Sequence, residues 1–389
     1  MPQLKPQQIL EKQTSQSLHV VEVEGKSTLK EFIRLPWSLY SDDPMWIPPL
    51  ILERRMHLSP KNPYFEHAKF CSWLACRNGK PVGRISAQVD QLHIDRYRNA
   101  NGFFGMLESE DNDRTFRCLL ETAEAWLLKQ GMEKISGPFN FSINQELGML
   151  VDGFDTPPSV MMGHGRPYYA HRVEENGYSK EKDLLAYRID STVAAEKIRK
   201  IAARAKNRLH IRSLRKSNFS KELKIIRDIF NDAWSQNWGF TPWTEAEFEH
   251  LGKDLKLIVD EELVSIAEVN GEPAAFLVVL PNLNEAISDL NGKLLPFGWL
   301  KLLWRVKVKC PKTARIPLMG VRRRYQDTLM GAALAFSVIN GILGPAIKLG
   351  IQEMELSWIL EDNEAMRKII EAINGHVYKT YRIYSKQLS

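Results

Sequence analysis

Hydrophobic and polar residues follow the same order twice along the chain, which indicates two copies of one structural unit. Residues 73–90 and residues 265–282 each predict a strand, an Asn-Gly turn and a second strand. The two ends also match, because residues 173–190 resemble residues 370–386 through a further Asn-Gly pair and a shared Tyr-Arg-Ile. The matching features are separated by nearly equal intervals, as a duplication requires.

Between these landmarks each half predicts a strand, an amphipathic helix and another strand. In chain order the segments are 102–109, 114–130 and 134–141 in the first half, and 314–321, Tyr325 to Leu349 and 353–360 in the second. This alternation predicts the α/β (α+β) class, with two tandem domains that each contain a mixed, mostly antiparallel sheet flanked by helices.

The same landmarks predict the domain boundaries. We expect a flexible tail at residues 1–17, a first domain at 18–190 and a second domain at 191–389. The second domain carries an insertion at residues 288–312 that has no counterpart of that length in the first.

Composition narrows the class of partner. The 389 residues are 44% hydrophobic and 26% charged, which is enough for a large core, and the net charge is +6. Much of the basic excess lies in residues 197–224 and 301–324. It favours an acidic partner: a phosphorylated cofactor, an anionic membrane surface or a nucleic acid.

Cysteine usage and the N-terminus predict a cytoplasmic protein without a metal site. The four cysteines form neither a CxxC pair nor a spacing typical of zinc ligands, so we expect reduced thiols. The first 17 residues lack the apolar core of a signal peptide. The apolar run 330–347 is short for a bilayer and contains Gly and Pro, which favours a buried helix.

Three consecutive arginines, Arg322, Arg323 and Arg324, stand directly before a helical pattern that contains Gly331. Backbone N–H groups at a helix start, with the helix dipole behind them, form a site for phosphate that flanking arginines strengthen. The alternative is a solvated basic turn, which charge runs form more often.

This stretch, together with the strand, helix, Asn-Gly and strand of the last 32 residues, resembles the GNAT superfamily of acyl-CoA-dependent N-acyltransferases. The resemblance covers residues 18–389, so the chain resembles a tandem GNAT-like bacterial protein. It implies that the pyrophosphate of acyl-CoA or acetyl-CoA lies at the start of the central helix of the second half. The cofactor-binding positions that match the family pattern are Val321, Arg322, Arg323, Arg324, Gln326, Gly331 and Asn363.

Two positions depart from that pattern. Leu329 replaces the first glycine of the family's phosphate-binding turn, and Ile370 stands where family members carry a tyrosine that acts as a general acid. An inactive tandem scaffold that binds a ligand or a protein therefore remains the alternative to an enzyme.

The first half offers candidate bases for deprotonating an amine. Residues 137–172 are dense in Gly, Pro, Asn and acidic side chains where a short connector is expected. Glu146, Asp152 and His164 are the candidate catalytic residues, with His164 favoured because imidazole titrates near neutral pH. The alternative is a long ordered loop whose polar groups satisfy its own backbone.

The insertion combines Phe and Trp residues with five lysines and one arginine. Three interpretations stay open: peripheral membrane contact through residues 294–309, a lid over the acyl chain, and a strap between the two copies. Nucleic acid is an unlikely partner, because the basic stretch 197–216 comes without a recognised binding motif.

The sequence thus predicts an acyltransferase that moves an acyl group from acyl-CoA, or from an acyl carrier protein, to an amine. Similar GNAT-like bacterial proteins acylate sphingoid-type long-chain bases, so the resemblance extends to a small or lipid-like amine acceptor. We expect a cytoplasmic protein, with contact at the inner membrane face as the open question.

Overall fold

The computed structural model describes residues 17–202, 209–256 and 258–389. The predicted tail therefore lies outside the described residues except for its last position, and the basic stretch 197–216 lies partly outside them. Within the described chain, thirteen strands form a single sheet.

The first half follows the predicted order of elements. Its elements are β1 Leu18–Glu22, α1 Gly25–Leu39, α2 Ile51–His57, β2 Ala68–Arg77, β3 Lys80–Asp90, α3 Gln91–Tyr97, β4 Asn101–Ser109, α4 Asp113–Lys129, β5 Lys134–Gly137, β6 Phe139–Asn140, β7 Glu146–Leu147, β8 Met149–Asp152, α5 Tyr168–Glu175 and β9 Ser179–Asp190. The predicted hairpin is β2–β3, closed by Asn78 at a φ of 52°.

The second half repeats that order after a connecting helix. Its elements are α6 Ser191–Ala202, β10 Leu209–Ser213, α7 Phe219–Ala233, α8 Glu245–Leu255, β11 Val264–Val269, β12 Glu272–Pro281, α9 Leu283–Ile287, α10 Gly298–Trp304, β13 Thr313–Val321, α11 Leu329–Lys348, β14 Glu353–Leu360, α12 Glu364–Ala372 and β15 His376–Gln387. A short π-helix, Arg305–Lys309, continues α10.

The central helix of the second half begins later than the sequence predicts. Residues Arg323–Tyr325 form a 3₁₀ turn, and α11 starts at Leu329 rather than at Tyr325. The reason is a local cap: the Thr328 hydroxyl accepts a hydrogen bond from the Gly331 N–H at 3.1 Å.

The two halves exchange their last strands. The strand order is β1, β2, β3, β4, β5, β15, β9, β14, β13, β12, β11, β10, and β8 also pairs with β15. Strand β15, from the end of the chain, thus lies against β5 of the first half, while β9 lies against β14 of the second. The sequence boundary at residue 190 therefore divides the chain without dividing the sheet.

Helices cover the sheet and bury its apolar side chains. In the first half α4 packs Phe116, Leu119 and Ala123 against β3, β4 and β5. In the second half α11 is the core helix, with Leu334 and Val338 fully buried against β12, β13 and β14. Among the described residues, α11 is the one helix long and apolar enough to span a bilayer, and half of its apolar window is buried inside the protein.

The sheet is mixed and mostly antiparallel, which confirms the predicted fold class. The two parallel pairs are β4 with β5 and β13 with β14, one in each half. These two pairs are the places where neighbouring strands diverge, and they position the candidate site.

Candidate functional site

The parallel strands of the second half form an open wedge. Strands β13 and β14 pair only from Thr313 to Ile316 and from Glu353 to Leu356. Beyond that apex each strand continues without the other, and residues 317–319 and 358–360 are partly exposed. Two carbonyls in the wedge already have partners, because the Met319 carbonyl accepts from Trp234 Nε1 at 2.8 Å and the Ser357 carbonyl accepts from Arg315 at 3.2 Å. Backbone groups of the diverging strands that lack such partners can pair with an extended amide-bearing ligand.

The matching wedge of the first half is filled by its own chain. Strands β4 and β5 pair over only three residues each, and the segment that follows β5 turns back into the gap. A Cβ atom on Gly105 would lie 1.9 Å from the Phe139 carbonyl oxygen, and the Met106 N–H donates to Asn140 Oδ1 at 2.7 Å. An extended ligand therefore has no room between these strands.

The turns that follow the two wedges carry opposite charge. In the first half Glu110, Asp111 and Asp113 surround the start of α4. In the second half the corresponding turn carries Arg323 and Arg324 before α11. Because anions bind at helix starts through N–H groups and nearby cations, the second wedge suits a phosphorylated ligand and the first does not.

The three arginines do not act as one unit. The Arg322 guanidinium is held by Asp228 Oδ2 at 2.5 Å and by the Pro273 carbonyl at 2.8 Å, so it fastens the end of β13 to α7 and β12. Arg323 and Arg324 are exposed and form no ion pair with the described residues. They are the cations available to a ligand.

Gln326 and Gly331 support the turn. The Gln326 amide donates to the Val321 carbonyl at 2.9 Å, which closes the loop on itself. A Cβ on Gly331 would lie 2.1 Å from the Tyr325 carbonyl oxygen, so the glycine is needed for the turn to pack on the helix. Leu329 is 94% exposed, so its side chain is not packed into the turn.

Two further residues from the family pattern lie beside the wedge. Asn363 follows β14 and caps α12, where its Oδ1 accepts from the Met366 N–H at 3.1 Å. Ile370, at the position of the family tyrosine, is fully buried in the core and brings no acid.

A buried polar cluster lies at the apex of the open wedge. Arg315 on β13 donates to Ser357 Oγ at 2.8 Å, and its Nε lies 3.6 Å from a Glu355 carboxylate oxygen. The Trp358 ring stacks on the guanidinium at 4.4 Å. The Tyr378 hydroxyl on β15 donates to the other Glu355 oxygen, and burial beside this carboxylate holds the pKa of Tyr378 well above its usual range.

Sequence reasoning missed this cluster. Arg315, Glu355 and Ser357 fall inside segments that read as continuous buried strands, so the only available signal was a charged residue at a buried strand position.

A loop from the first half covers the cluster. The Arg315 guanidinium donates to the carbonyls of Val160 at 3.0 Å and Met161 at 3.2 Å, and the Tyr381 hydroxyl donates to Gly163. The loop that carried the candidate bases therefore belongs, in space, to the wedge of the second half.

Glu146 lies beside that loop. Its Oε2 accepts from Asn140 Nδ2 at 2.9 Å and from Arg54 at 3.4 Å, whereas Oε1 accepts no hydrogen bond from the described residues. Its carboxylate also contributes to the electrostatic environment of Arg315 and Tyr381. The side chain is 26% exposed, so it is reachable from solvent.

His164 and Asp152 have different surroundings from Glu146. His164 is 4% exposed, and its Nε2 lies 2.9 Å from Asp43 Oδ2. Burial lowers the pKa of this imidazole, although its contact with the Asp43 carboxylate opposes that shift. Asp152 is exposed at the end of β8, near Lys379, whose pKa burial lowers to about 8.

The described residues contain no group of three or more His, Cys, Asp and Glu side chains arranged to hold a metal ion. The four cysteines are free thiols.

Comparison with known proteins identifies relatives that match nearly the whole chain. No family model matches the chain. Protein YghO of Escherichia coli is 48% identical over 367 residues, which is 94% of each chain. The bacterial ceramide synthase of Caulobacter vibrioides is 48% identical over 379 residues, which is 96% of this chain and 99% of that protein.

Solved structures share the fold at much lower identity. A tandem GNAT protein from the clavulanic acid biosynthesis pathway aligns with a TM-score of 0.55 and 10% identity, over 96% of this chain and 99% of that one. A GCN5-related N-acetyltransferase from Sphaerobacter thermophilus aligns with a TM-score of 0.50 and 11% identity, over 95% and 96% of the two chains. The chain thus shares the fold of tandem GNAT proteins, and it belongs to the family that includes the bacterial ceramide synthase of Caulobacter vibrioides.

Proposed function

We propose that the protein transfers an acyl group from acyl-CoA to the amine of a lipid-like acceptor, and that the reaction takes place in the wedge of the second half. The observation that supports this proposal is the difference between the two wedges. The second is open and faces a basic helix start, whereas the first is filled by residues 139–141 and faces an acidic one.

In this proposal Arg323, Arg324 and the first N–H groups of α11 hold the pyrophosphate of the donor. Leu329 and Met330 occupy the first turn, where helix N–H groups have no partner four residues earlier. The pantetheine arm would lie between β13 and β14, beside Asn363. The bound thioester supplies the activated carbonyl, and the chain supplies its orientation.

Glu146 is the best placed of the three candidate bases. An amine attacks a thioester only after its ammonium loses a proton, so the base needs a free oxygen within reach of the acceptor. Glu146 Oε1 accepts no hydrogen bond from the described residues, which supports this role, whereas the His164 side chain is buried and held against Asp43. Asp152 is exposed at the end of β8 near Lys379 and is the weaker candidate.

The acceptor class rests on the relative that matches almost the whole chain. The name of the Caulobacter protein describes a ceramide synthase, which acylates a long-chain amine. Because the two proteins are 48% identical over 96% of this chain, we propose the same class of acceptor for both. The acyl donor remains acyl-CoA in this proposal, with an acyl carrier protein as the alternative source of the thioester.

Binding and turnover test the two parts of the proposal separately. Titration calorimetry with CoA and palmitoyl-CoA would compare the wild type with Arg323→Glu/Arg324→Glu. Loss of charge-assisted phosphate contacts of about 1.5 kcal/mol each predicts at least about a hundredfold weaker binding. Arg114→Glu/Arg117→Glu is the matched control, because it reverses two exposed arginines near the start of α4 in the first half.

Equal CoA affinity in all three proteins would contradict a donor site in this wedge.

Mass spectrometry of the products formed from palmitoyl-CoA and a long-chain base tests acyl transfer. The Glu146→Gln variant should bind CoA normally and lose most of its turnover at neutral pH, with partial recovery at higher pH. CoA binding without any acyl product would favour the alternative, an inactive tandem scaffold.

A further inference from the structure

The insertion of the second half exposes a cluster of large apolar side chains. Seven of the fourteen exposed large hydrophobic residues in the described chain lie between residues 295 and 308. They are Leu295 at 79% exposure, Phe297 at 73%, Trp299 at 45%, Leu300 at 49%, Leu303 at 42%, Trp304 at 55% and Val308 at 70%. Soluble proteins scatter such residues singly, so this concentration marks an interaction surface.

The exposure favours membrane contact over a lid among the interpretations drawn from the sequence. A lid closed over an acyl chain would bury these side chains against the protein, whereas they are exposed here. The strap interpretation holds for the start of the insertion alone. There Trp37 Nε1 donates to Asn291 Oδ1 at 2.6 Å, and the Ile51 N–H donates to the Gly292 carbonyl at 3.0 Å.

These contacts place a second element with exposed apolar side chains beside the start of the insertion. Helix α2 of the first half begins at Ile51, directly against Gly292. Two of its exposed residues, Leu52 and Met56, are one turn apart and therefore share a face. We call residues 295–308 together with Leu52 and Met56 the apolar surface.

Basic side chains surround the apolar surface. Lys293, Lys307 and Lys309 are exposed and form no ion pair with the described residues. Lys301 and Arg305 share one carboxylate, Asp289, with Arg305 Nη1 at 2.5 Å from its oxygen. The surface thus keeps a net positive charge around tryptophan and leucine side chains.

We propose that the apolar surface binds the headgroup layer of an anionic membrane. Tryptophan beside lysine suits this layer, because the indole rings lie at the boundary between headgroups and acyl chains while lysines reach anionic phosphates. A protein partner of ordinary composition would be expected to exclude lysine from the contact, since lysine is depleted in protein interfaces.

Elements next to the apolar surface also contact Glu146 and the loop that covers Arg315. Helix α2 presents Leu52 and Met56 outward, while Arg54 of the same helix reaches Glu146. Helix α9, which precedes the insertion, donates from Asn284 to the carbonyls of Pro158 and Ser159 in the loop that covers Arg315. Resting on the proposed function, membrane binding would therefore bring a lipid amine to Glu146.

Vesicle flotation tests the proposal with the full-length protein. The wild type should float with phosphatidylcholine vesicles that contain phosphatidylglycerol, less with phosphatidylcholine alone, and less as salt is raised. Trp299→Glu/Trp304→Glu should abolish flotation. Lys307→Ala/Lys309→Ala should weaken it about fivefold for each lysine removed.

Matched variants control for the added charge. Leu128→Glu/Val193→Glu introduces the same two negative charges at exposed apolar sites outside the insertion, and Lys26→Ala/Lys80→Ala removes two exposed lysines elsewhere. Both should float like the wild type. Flotation of the tryptophan variant at the wild-type level, or equal loss in both sets of variants, would overturn the proposal. So would a wild-type dimer in light scattering that the tryptophan variant converts to a monomer.

Turnover separates this proposal from the proposed function. With a long-chain base embedded in anionic vesicles, the tryptophan variant should lose most of its activity. With the same base dispersed in detergent it should match the wild type, because no residue of the wedge is changed. Flotation without turnover would leave membrane binding intact and remove only the link to the acceptor.

Discussion

The Arg315–Glu355 pair provides a quantitative test of the buried cluster at the wedge apex. Arg315 is 1% exposed and Glu355 is 5% exposed. Arg315→Met keeps the volume of the side chain but leaves the carboxylate buried without its cation, and it removes the donor to two carbonyls of the covering loop. Loss of one partner of a buried ion pair costs about 3–5 kcal/mol of unfolding free energy.

Glu355→Gln should lower the unfolding free energy less than Arg315→Met does. The amide keeps one acceptor for Ser357, and Arg315 keeps its neutral acceptors, so we expect a loss of about 1–3 kcal/mol. The double variant should be more stable than the sum of the single losses predicts, by about 1–3 kcal/mol, because no charge is then left unpaired. Urea unfolding followed by circular dichroism measures all four proteins.

The control is Lys368→Met, which breaks an exposed pair with Glu364 on α12. Its stability should be indistinguishable from that of the wild type. Strictly additive losses in the double variant would refute the reasoning, since they would mean that the two charges do not interact. Loss of stability in Lys368→Met as large as in Arg315→Met would refute it as well.

Two further predictions concern stability. Gly331→Ala should destabilise the protein, because the added Cβ would lie 2.1 Å from the Tyr325 carbonyl oxygen. Gly344→Ala on the same helix should change the stability little, because its Cβ would meet nothing within 4 Å. The melting temperatures of the two variants test this difference. The His67 imidazole lies 3.1 Å from an Asp90 carboxylate oxygen and 3.3 Å from a Glu247 carboxylate oxygen. Burial acts to lower the pKa of His67, but its hydrogen bonds to these two carboxylates raise the pKa to about 9. Protonated His67 therefore contributes its full stabilisation below about pH 6.5, and this stabilisation is lost as the pH rises toward 9. The urea midpoint of the wild type should fall over that pH range, whereas the midpoint of His67→Gln should not.

Local pattern was sufficient for most elements of the fold. Alternating apolar and polar residues and the Asn-Gly turns correctly predicted the hairpins at residues 73–90 and 265–282 and the strand at 353–360. The error at Tyr325 has a local cause too. The Thr328 cap competes with helix extension, and a helical apolar pattern alone does not reveal which residue caps it.

The candidate site was less accessible to sequence reasoning. The arginine triplet was visible, but its division into a structural Arg322 and two free cations depends on Asp228, almost a hundred residues earlier in the chain. The sequence positions of Arg315 and Glu355 indicate strands and nothing more. Their interaction exists because β13 and β14 lie side by side in parallel register.

The sequence by itself determined the duplication, the order of strands and helices, and the basic helix start of the second half, because each depends on residues close together in the chain. Tertiary structure decided that β9 and β15 change places, since two strands of similar pattern satisfy either neighbour equally well locally. It also decided that one wedge is filled and the other open. Whether a gap between strands is occupied depends on where distant backbone packs, which no local pattern specifies.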